Sequence, residues 1–192
     1  ASKACSEIVT NSYKKSFFDV SKIGLATARA GNVIGGGDWS KDRLVPDLLK
    51  NLNDKNVTQI RNPLAIRPWQ HVLEPLSGYM LLAQKLYEEP AQFSEAWNFG
   101  PEDTDTREVR WVANRICKLW GDEAGWLSDS ASHLHEAQCL KLDISKAKSR
   151  LNWKPRWSLD SALIKTVDWY SEFYEGGNME KFTLSQINSY SS

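Results

Sequence analysis

The sequence predicts an α/β fold with a parallel sheet, because short apolar stretches alternate with helix-like stretches along its 192 residues. Residues 23–28 are small or apolar except at Thr27 and have no helical stripe, as in a short strand that is buried on both faces. Residues 42–52 carry one apolar helical face, made by Leu44, Val45, Leu48, Leu49 and Leu52. The first half of a doubly wound sheet has no counterpart in the sequence, so we expect only the later part of such a fold.

Further helices and strands follow from the same two periodicities. Residues 1–18 are predicted to form a helix without a start signal, so its beginning is expected upstream of Ala1. Thr106 and Ser158 are the predicted N-caps of two helices, which Gly121 and Gly176 end. The other helices are predicted at residues 73–87 and 145–151, with the capped ones at 106–120 and 159–174. Strands are predicted at residues 57–60, 69–72, 96–99 and 140–143, whereas residues 122–138 and 178–192 give weak signals.

The balanced charge of the sequence argues against a partner that is bound through a general electrostatic field. Lys and Arg together number 24, as do Asp and Glu, so the formal net charge is zero and no field attracts nucleic acid or an anionic membrane. The sequence has no apolar run long enough to span a membrane. Cys5, Cys117 and Cys139 are odd in number and lack C-x-x-C spacing, which favours reduced thiols and a cytoplasmic location. We therefore expect no nucleic-acid partner and no membrane association.

The apolar stretch at 23–28 runs into a turn that is rich in glycine, with Gly31, Asn32 and a glycine triplet at 35–37. Open α/β sheets bind ligands in the crevice outside the carboxyl ends of their strands, and this turn falls at such an end. The turn is thus a candidate ligand site. A glycine-rich surface turn without a ligand is the alternative on this stretch alone.

Arg67 is the best candidate for an anion clamp. It stands in R-P-W-Q-H-V, just before a predicted strand, where a planar guanidinium can bind phosphate or carboxylate with two donors. The alternative is a surface arginine that pairs with Glu74. Asn32 and Asn98 each follow or end an apolar run, so their amides can donate to phosphoryl oxygens or instead cap a turn.

The histidines give weaker signals. His71 lies among apolar neighbours, which favours a hydrogen-bonded core residue over a catalytic base. His133 and His135 can contact a ligand or face solvent. Asp38, Asp42 and Arg43 crowd the glycine turn, but no metal loop has their spacing, so no metal site is predicted. The sequence also lacks G-x-G-x-x-G after a strand, the loop that holds a dinucleotide.

Five motifs together resemble the extended short-chain dehydrogenase/reductases that act on nucleotide sugars. They are S-K-A, R-A-G-N-V-I-G-G, R-P-W-Q-H-V-L-E-P, A-W-N-F-G and D-I-S-K-A-K-S-R-L-N-W-K-P, in the family's order and between Ser2 and about Trp169. Within the family, G-G-G-D-W followed by R-P-W-Q-H-V-L-E-P-L-S-G-Y looks like the dehydratases that act on CDP-glucose. The resemblance implies the C-terminal part of an NAD(P)-binding Rossmann-like fold, plus the smaller mixed α/β substrate-binding lobe.

The resemblance also implies roles for single residues. Lys3 matches the lysine of a Tyr-x-x-x-Lys pair, which binds the nicotinamide ribose and lowers the tyrosine pKa; the tyrosine would lie two residues before Ala1. Ala30 and Gly31 match backbone positions that pass the nicotinamide. The implied ligands of the sugar nucleotide, for its diphosphate, for its base and elsewhere on the substrate side, are Asn32, Arg67, Asn98, Leu44, Val45, Ile60, Arg61, Asn62 and His135.

Four positions depart from the family pattern. Asn62 stands where many relatives have glycine, Pro68 replaces the aspartate that follows the arginine in most of them, and Glu74 replaces a later aspartate. His135 falls near a position that is usually marked by Arg-Pro-Gly, which leaves the contacts to ribose and phosphate there open.

The implied reaction is an NAD-dependent 4,6-dehydration of CDP-glucose in the synthesis of deoxysugars for lipopolysaccharide. Its tyrosine, its Ser/Thr-Asp-Lys set and its glycine-rich NAD loop would all precede Ala1, so the chain is expected to be the C-terminal half of the enzyme. Residues 1–36 are expected to end the Rossmann domain. Residues 37–192 are expected to form mainly the substrate-binding lobe, with segments that return to the Rossmann sheet. The resemblance further implies a homo-oligomer, packed through the helix that carries Lys3.

Two other functions remain open on the sequence. The chain could be a non-catalytic module that binds nucleotide sugars or serves assembly, although a start in mid-helix favours a truncated enzyme. It could also be part of an epimerase or decarboxylase that acts on UDP- or dTDP-sugars. The acid and base residues that would decide lie outside this sequence.

Overall fold

A computed structural model of the chain describes residues 2–19, 22–121, 125–129 and 137–192. The chain divides into two compact units, each assembled from three separate stretches. The first unit comprises Ala1–Ala30, Pro75–Phe99 and Asp143–Lys154, and the second comprises Gly31–Glu74, Gly100–Leu142 and Pro155–Ser192. None of the described helices is both long and apolar enough to cross a membrane.

The helices follow the apolar periodicity of the sequence. Those over 73–87, 145–151 and 159–174 are confirmed nearly to the residue, and the side chain of Ser158 accepts a hydrogen bond from the N–H of Ser161, as an N-cap should. The described helices are α1 (Ser2–Phe17), α2 (Leu44–Asn53), α3 (Leu73–Glu88), α4 (Pro90–Phe93), α5 (Val109–Trp120), α6 (Ser145–Leu151), α7 (Leu159–Tyr174) and α8 (Met179–Ser191).

Short strands pair mostly in parallel. In the described part of the chain, β1 pairs with β5 and β3 with β7, while β4 lies between a parallel partner, β2, and an antiparallel one, β6. The strands are β1 (Thr27–Ala30), β2 (Asn32–Ile34), β3 (Thr58–Ile60), β4 (Ile66–His71), β5 (Ala96–Phe99), β6 (Thr106–Glu108) and β7 (Trp126–Ser128). A bridge between Ile66 and Cys139 extends the β4 region.

The first unit packs around β5. Trp97 and Phe99 on this strand are fully buried, and the ring of Trp153 meets Phe99 edge-on with centroids 5.0 Å apart. The indole N–H of Trp153 donates to the hydroxyl of Ser77 over 3.0 Å, so this large side chain is both packed and hydrogen-bonded.

The second unit has a continuous apolar core formed by α2, α5, α7 and the neighbouring strands. A bidentate ion pair between Arg115 and Asp160, with N–O distances of 2.5 and 3.0 Å, joins α5 to α7 at the edge of this core. The central buried side chains are Ile34, Val45, Leu48, Leu49, Val112, Ala113, Ile116, Leu159, Ala162, Leu163 and Val167.

The structure corrects several predicted strands. The strand expected at 23–28 runs over Thr27–Ala30 and is partly exposed, so burial on both faces is wrong; β5 is its described partner. The strand expected at 69–72 begins at Ile66, because its first residues pair with β6. Residues 140–143, predicted as a strand, are irregular.

Two helix predictions also change. Thr106 is not an N-cap, because residues 106–108 form β6 and the helix starts at Val109. The polar tail forms α8, whose N-cap Asn178 accepts a hydrogen bond of 3.0 Å from the N–H of Lys181. Its signal in the sequence is this asparagine together with Glu180 in the first turn.

Candidate functional site

The second unit contains an open cleft of about 1070 Å³. Its walls are formed by residues 31–35, 42–47 and 58–62, which are the β2 region, the start of α2 and the end of β3. The remaining lining residues are Asp38, Ala65, Arg67, Trp69 and Val109. The cleft therefore lies next to the glycine-rich turn that the sequence marks as a candidate ligand site.

Arg67 lies on β4 and lines the cleft with its side chain largely buried, at 8% exposure. Its Nη1 donates to the carbonyl oxygen of Ile66 over 2.9 Å. The interpretation of Arg67 as an exposed surface arginine is therefore wrong. A largely buried guanidinium interacts more strongly with an anion than one in bulk water, because the effective dielectric constant around it is lower.

Asn32 opens β2 and is placed in register with Trp69, so it lies beside the strand that carries Arg67. It also lines the cleft. Gly31, just before it, runs close to Pro68: a Cβ at this position would collide with the Pro68 carbonyl oxygen. The absence of a side chain at Gly31 is thus what allows the two backbones to approach here.

The residues predicted to line a base pocket are all brought to the same cleft. Val45 and Ile60 are buried and contribute apolar lining, while the side chain of Arg61 is exposed. Together with Gly31, Asn32 and Arg67, the predicted residues that share this cleft are Leu44, Val45, Ile60, Arg61 and Asn62.

Three other predicted residues belong to the first unit. Lys3 is exposed in the first turn of α1, and Ala30 ends β1. The side-chain oxygen of Asn98 accepts a hydrogen bond of 3.1 Å from Arg29, and its amide donates over 3.1 Å to the carbonyl oxygen of Asp143. His135, like His133, lies outside the described residues.

Asp38 and Arg43 are cleft residues that the sequence analysis did not assign to a ligand. They form an ion pair of 3.1 Å, and the N–H of Ser40 donates to the Asp38 carboxylate over 3.0 Å. Although burial opposes it, these bonds hold the pKa of Asp38 below its usual value. In the sequence, the only indication of a role for these two residues is that they cluster at the glycine-rich turn. Their spacing matches no metal-binding loop, so it predicted no specific function.

The cleft balances its charges locally. Its walls hold three carboxylates, Asp38, Asp42 and Asp47, against three guanidiniums, Arg43, Arg61 and Arg67. Burial, followed by the charge of Asp42, raises the pKa of Asp47. Among the described residues no cluster of His, Cys, Asp or Glu could hold a metal ion.

His71 is a core residue in the structure. Its Nδ1 accepts a hydrogen bond of 3.3 Å from the N–H of Leu73, and its ring meets Trp157 edge-on at 4.9 Å. Burial, aided by the charge of Lys165, lowers the pKa of His71 to about 4. The ring is therefore neutral near pH 7, which agrees with the core interpretation.

Solved structures share this fold at low sequence identity. The crystal structure of DesIV, a dTDP-glucose 4,6-dehydratase from Streptomyces venezuelae with NAD and TYD bound, matches 92% of this chain and 52% of its own, with a TM-score of 0.77 and 20% identity. UDP-glucose 4-epimerase from Thermotoga maritima, with UDP-glucose, matches 90% of this chain and 52% of its own, with a TM-score of 0.74 and 17% identity. The fold is that of the extended short-chain dehydrogenase/reductases.

One curated relative resembles the sequence over the whole length of the chain. Over its whole length the chain is 50% identical to CDP-glucose 4,6-dehydratase of Salmonella typhimurium, of which it spans 55%. A probable dTDP-glucose 4,6-dehydratase of Sinorhizobium fredii is 26% identical over 68% of the chain and 38% of its own length. The resemblance inferred from the five motifs is confirmed, and the chain spans about half the length of the Salmonella relative. No protein-family model matches the chain.

Proposed function

We propose that this chain forms the sugar-nucleotide half of an NAD-dependent CDP-glucose 4,6-dehydratase, which converts CDP-glucose into CDP-4-keto-6-deoxyglucose and water. The observation that carries the proposal is the 50% identity to the Salmonella dehydratase across the entire chain. The cleft of the second unit supports it, because residues of the kind needed for a nucleotide diphosphate line it together.

The cleft suits the two chemically different ends of a nucleotide diphosphate. Arg67 and Asn32 offer a charged and a neutral donor to phosphoryl oxygens. Leu44, Val45 and Ile60 supply an apolar surface on which the flat base can pack, and such surfaces line most small-molecule sites. We assign Arg61 and Asn62, at the end of β3, to the polar edge of the base.

NAD is the proposed cofactor, and the residues of this chain fit one end of it. Lys3 is an exposed ammonium in the first turn of α1, of the kind that can donate to ribose hydroxyls, and Ala30 lies at the carboxyl end of a parallel strand. We assign Gly31 to the same backbone path. When bound, NAD would supply the hydride acceptor that the dehydration needs. We place Asn98 on the sugar side, while His135 stays a prediction.

A cytoplasmic homo-oligomer with a role in lipopolysaccharide deoxysugar synthesis completes the proposal. Cys5 and Cys139 are exposed free thiols, which supports a reducing compartment. Helix α1 leaves Ile8 and Val9 exposed at 69% and 55%, and a second copy of the chain could cover them. We also propose residues 1–36 as the end of the Rossmann domain and 37–192 as mainly the substrate lobe.

The test is turnover by the full-length protein. With NAD present, we expect it to convert CDP-glucose to the 4-keto product at least about tenfold faster than UDP-glucose or dTDP-glucose, a preference worth roughly 1.4 kcal/mol. The isolated 192-residue chain is the control and should give no product. Turnover of UDP- or dTDP-sugars alone would favour an epimerase or another dehydratase, and CDP binding without any turnover would favour a binding module.

A further inference from the structure

Trp39 follows the glycine-rich turn and rests on a face of aromatic side chains along α7. Its ring centroid lies 5.2 Å from that of Tyr170 and 4.8 Å from that of Phe173, with further ring contacts to Trp169 and Tyr174. Its side chain is nevertheless half exposed, at 50%. The residue is therefore attached to the core without being part of it.

The turn before Trp39 lies directly against the same helix. A Cβ at Gly36 would overlap the indole ring of Trp169, so the backbone approaches α7 more closely than any other residue type would allow. The hydroxyl of Tyr170 donates to the carbonyl oxygen of Asp38. Burial raises the pKa of Tyr170, so the hydroxyl keeps the proton that it donates. Helix α7 thus holds the turn by packing and by a hydrogen bond.

Asp38 connects this turn to the cleft. Its carboxylate accepts from the N–H of Ser40 and pairs with the guanidinium of Arg43 at 3.1 Å. Asp38 and Arg43 both line the cleft, and Arg43 directly precedes α2. Any displacement of the turn would therefore move a charged pair in the cleft wall.

We propose that Trp39 is a positioning residue for the ligand of this cleft: by packing on α7 it fixes Asp38, and through Asp38 it fixes the Arg43 guanidinium in the wall that faces an anionic nucleotide sugar. The inference rests on the proposed function, since it takes a nucleotide diphosphate as the ligand. If Trp39 only covered the surface of α7, its loss would lower stability and leave affinity unchanged.

The experiment measures CDP affinity, KM and kcat for CDP-glucose, and thermal melting in the full-length protein. We expect Trp39→Ala to weaken CDP binding and raise KM by roughly tenfold, as loss of one well-placed charged contact would, with kcat within about twofold. Trp39→Phe should restore most of the affinity, because a smaller ring can still pack on Phe173. Trp111→Ala, at another partly exposed tryptophan (37%) that does not line the cleft, is the matched control and should change affinity by less than about twofold.

A double-mutant cycle separates positioning from packing. If Trp39 acts through Arg43, then Trp39→Ala combined with Arg43→Ala should bind CDP no more weakly than Arg43→Ala alone. Should Trp39→Ala fail to fold, Tyr170→Phe removes only the hydroxyl bond to Asp38 and should still weaken CDP binding by about threefold. Unchanged affinity in these folded variants, or independent additive losses in the cycle, would overturn the inference. A wild type that does not bind CDP would instead overturn the proposed function.

Discussion

The hydroxyl of Tyr190 donates a hydrogen bond of 2.8 Å to the fully buried carboxylate of Glu74, which joins the last helix of the chain to the start of α3. The same carboxylate accepts from the backbone N–H groups of Arg156 and Trp157 at 3.0 and 2.8 Å. Arg156 in turn donates to the carbonyl oxygen of Tyr190. Glu74 is therefore a structural anchor on which three donors converge.

Glu74→Ala should lower the free energy of unfolding of the full-length protein by about 3 kcal/mol or more. The substitution leaves buried donors without an acceptor, and each such group costs roughly 1 to 3 kcal/mol. Urea unfolding measures the change. Glu88→Ala on the exposed side of α3 is the control and should stay within about 0.5 kcal/mol of wild type. Equal midpoints for Glu74→Ala and wild type would show that the anchor contributes nothing.

Arg67→Ala should weaken CDP binding by about one to two powers of ten. The physical reason is the loss of charged hydrogen bonds between the guanidinium and the diphosphate, which are worth roughly 1.5 to 3 kcal/mol. Arg67→Lys should recover part of this, because an ammonium keeps the charge but loses the planar pair of donors. Asn32→Ala, which removes a neutral amide from the cleft, should cost about 1 kcal/mol. Calorimetric titration of full-length protein gives the ranking.

Arg107 is the matched control for Arg67. It lies directly opposite Arg67 in the pairing of β4 with β6, yet it is exposed and does not line the cleft. Arg107→Ala removes the same formal charge and should change CDP affinity by less than about twofold. Equal losses for the two variants would mean that general charge, rather than the position of Arg67, holds the ligand.

The stability of the protein should fall between about pH 6.5 and pH 4 because of His71. Its folded pKa of about 4 lies below the ordinary value of 6.5, so the unfolded chain binds more protons in this window and acid favours unfolding. The full contribution is present above pH 6.5 and amounts to roughly 3 kcal/mol at most. Urea unfolding at several pH values should show a weaker pH dependence for His71→Phe than for wild type. An identical slope would mean that other groups cause the acid sensitivity.

Replacing Ile8 and Val9 with lysine should shift the full-length protein towards monomer. The two side chains are exposed on α1, and an isologous interface would place two charges of each copy against their symmetry mates. Sedimentation velocity measures the change. Tyr87→Lys, on a very exposed aromatic of α3, is the control and should leave the assembly intact. Unchanged sedimentation of the Ile8 and Val9 variant would show that this face of α1 is not the interface.

Long helices were predictable because their burial pattern is local. Helices α3 and α7 show apolar residues at helical spacing, and Ser158 caps α7 as its position in the sequence indicates. Strand β6, in contrast, has only three residues, T-R-E, without an apolar pattern. Its conformation depends on pairing with β4, which lies far away in sequence. A prediction from the local sequence therefore assigned these residues to the helix that follows.

Part of the cleft was predictable, because some of its residues carry a signal in their local sequence. Asn32 and Arg67 could be named because each stands at the edge of an apolar stretch and matches a family motif. The contribution of Trp39 could not be foreseen, since it depends on contact with α7, more than 100 residues away in sequence. Nor could the sequence show that the backbone at Gly31 runs so close to the Pro68 carbonyl oxygen that a Cβ would collide with it.

The placement of Arg67 on the central strand of its sheet has a consequence for binding. Because β4 pairs with β6 over residues 66–68 and with β2 over residues 69–71, its backbone amides should exchange with deuterium more slowly than those of the loop before α2. The strand carrying the guanidinium is thus ordered before any ligand arrives. Association then loses little chain entropy at this contact, so a clamp of this kind should act mainly by slowing dissociation.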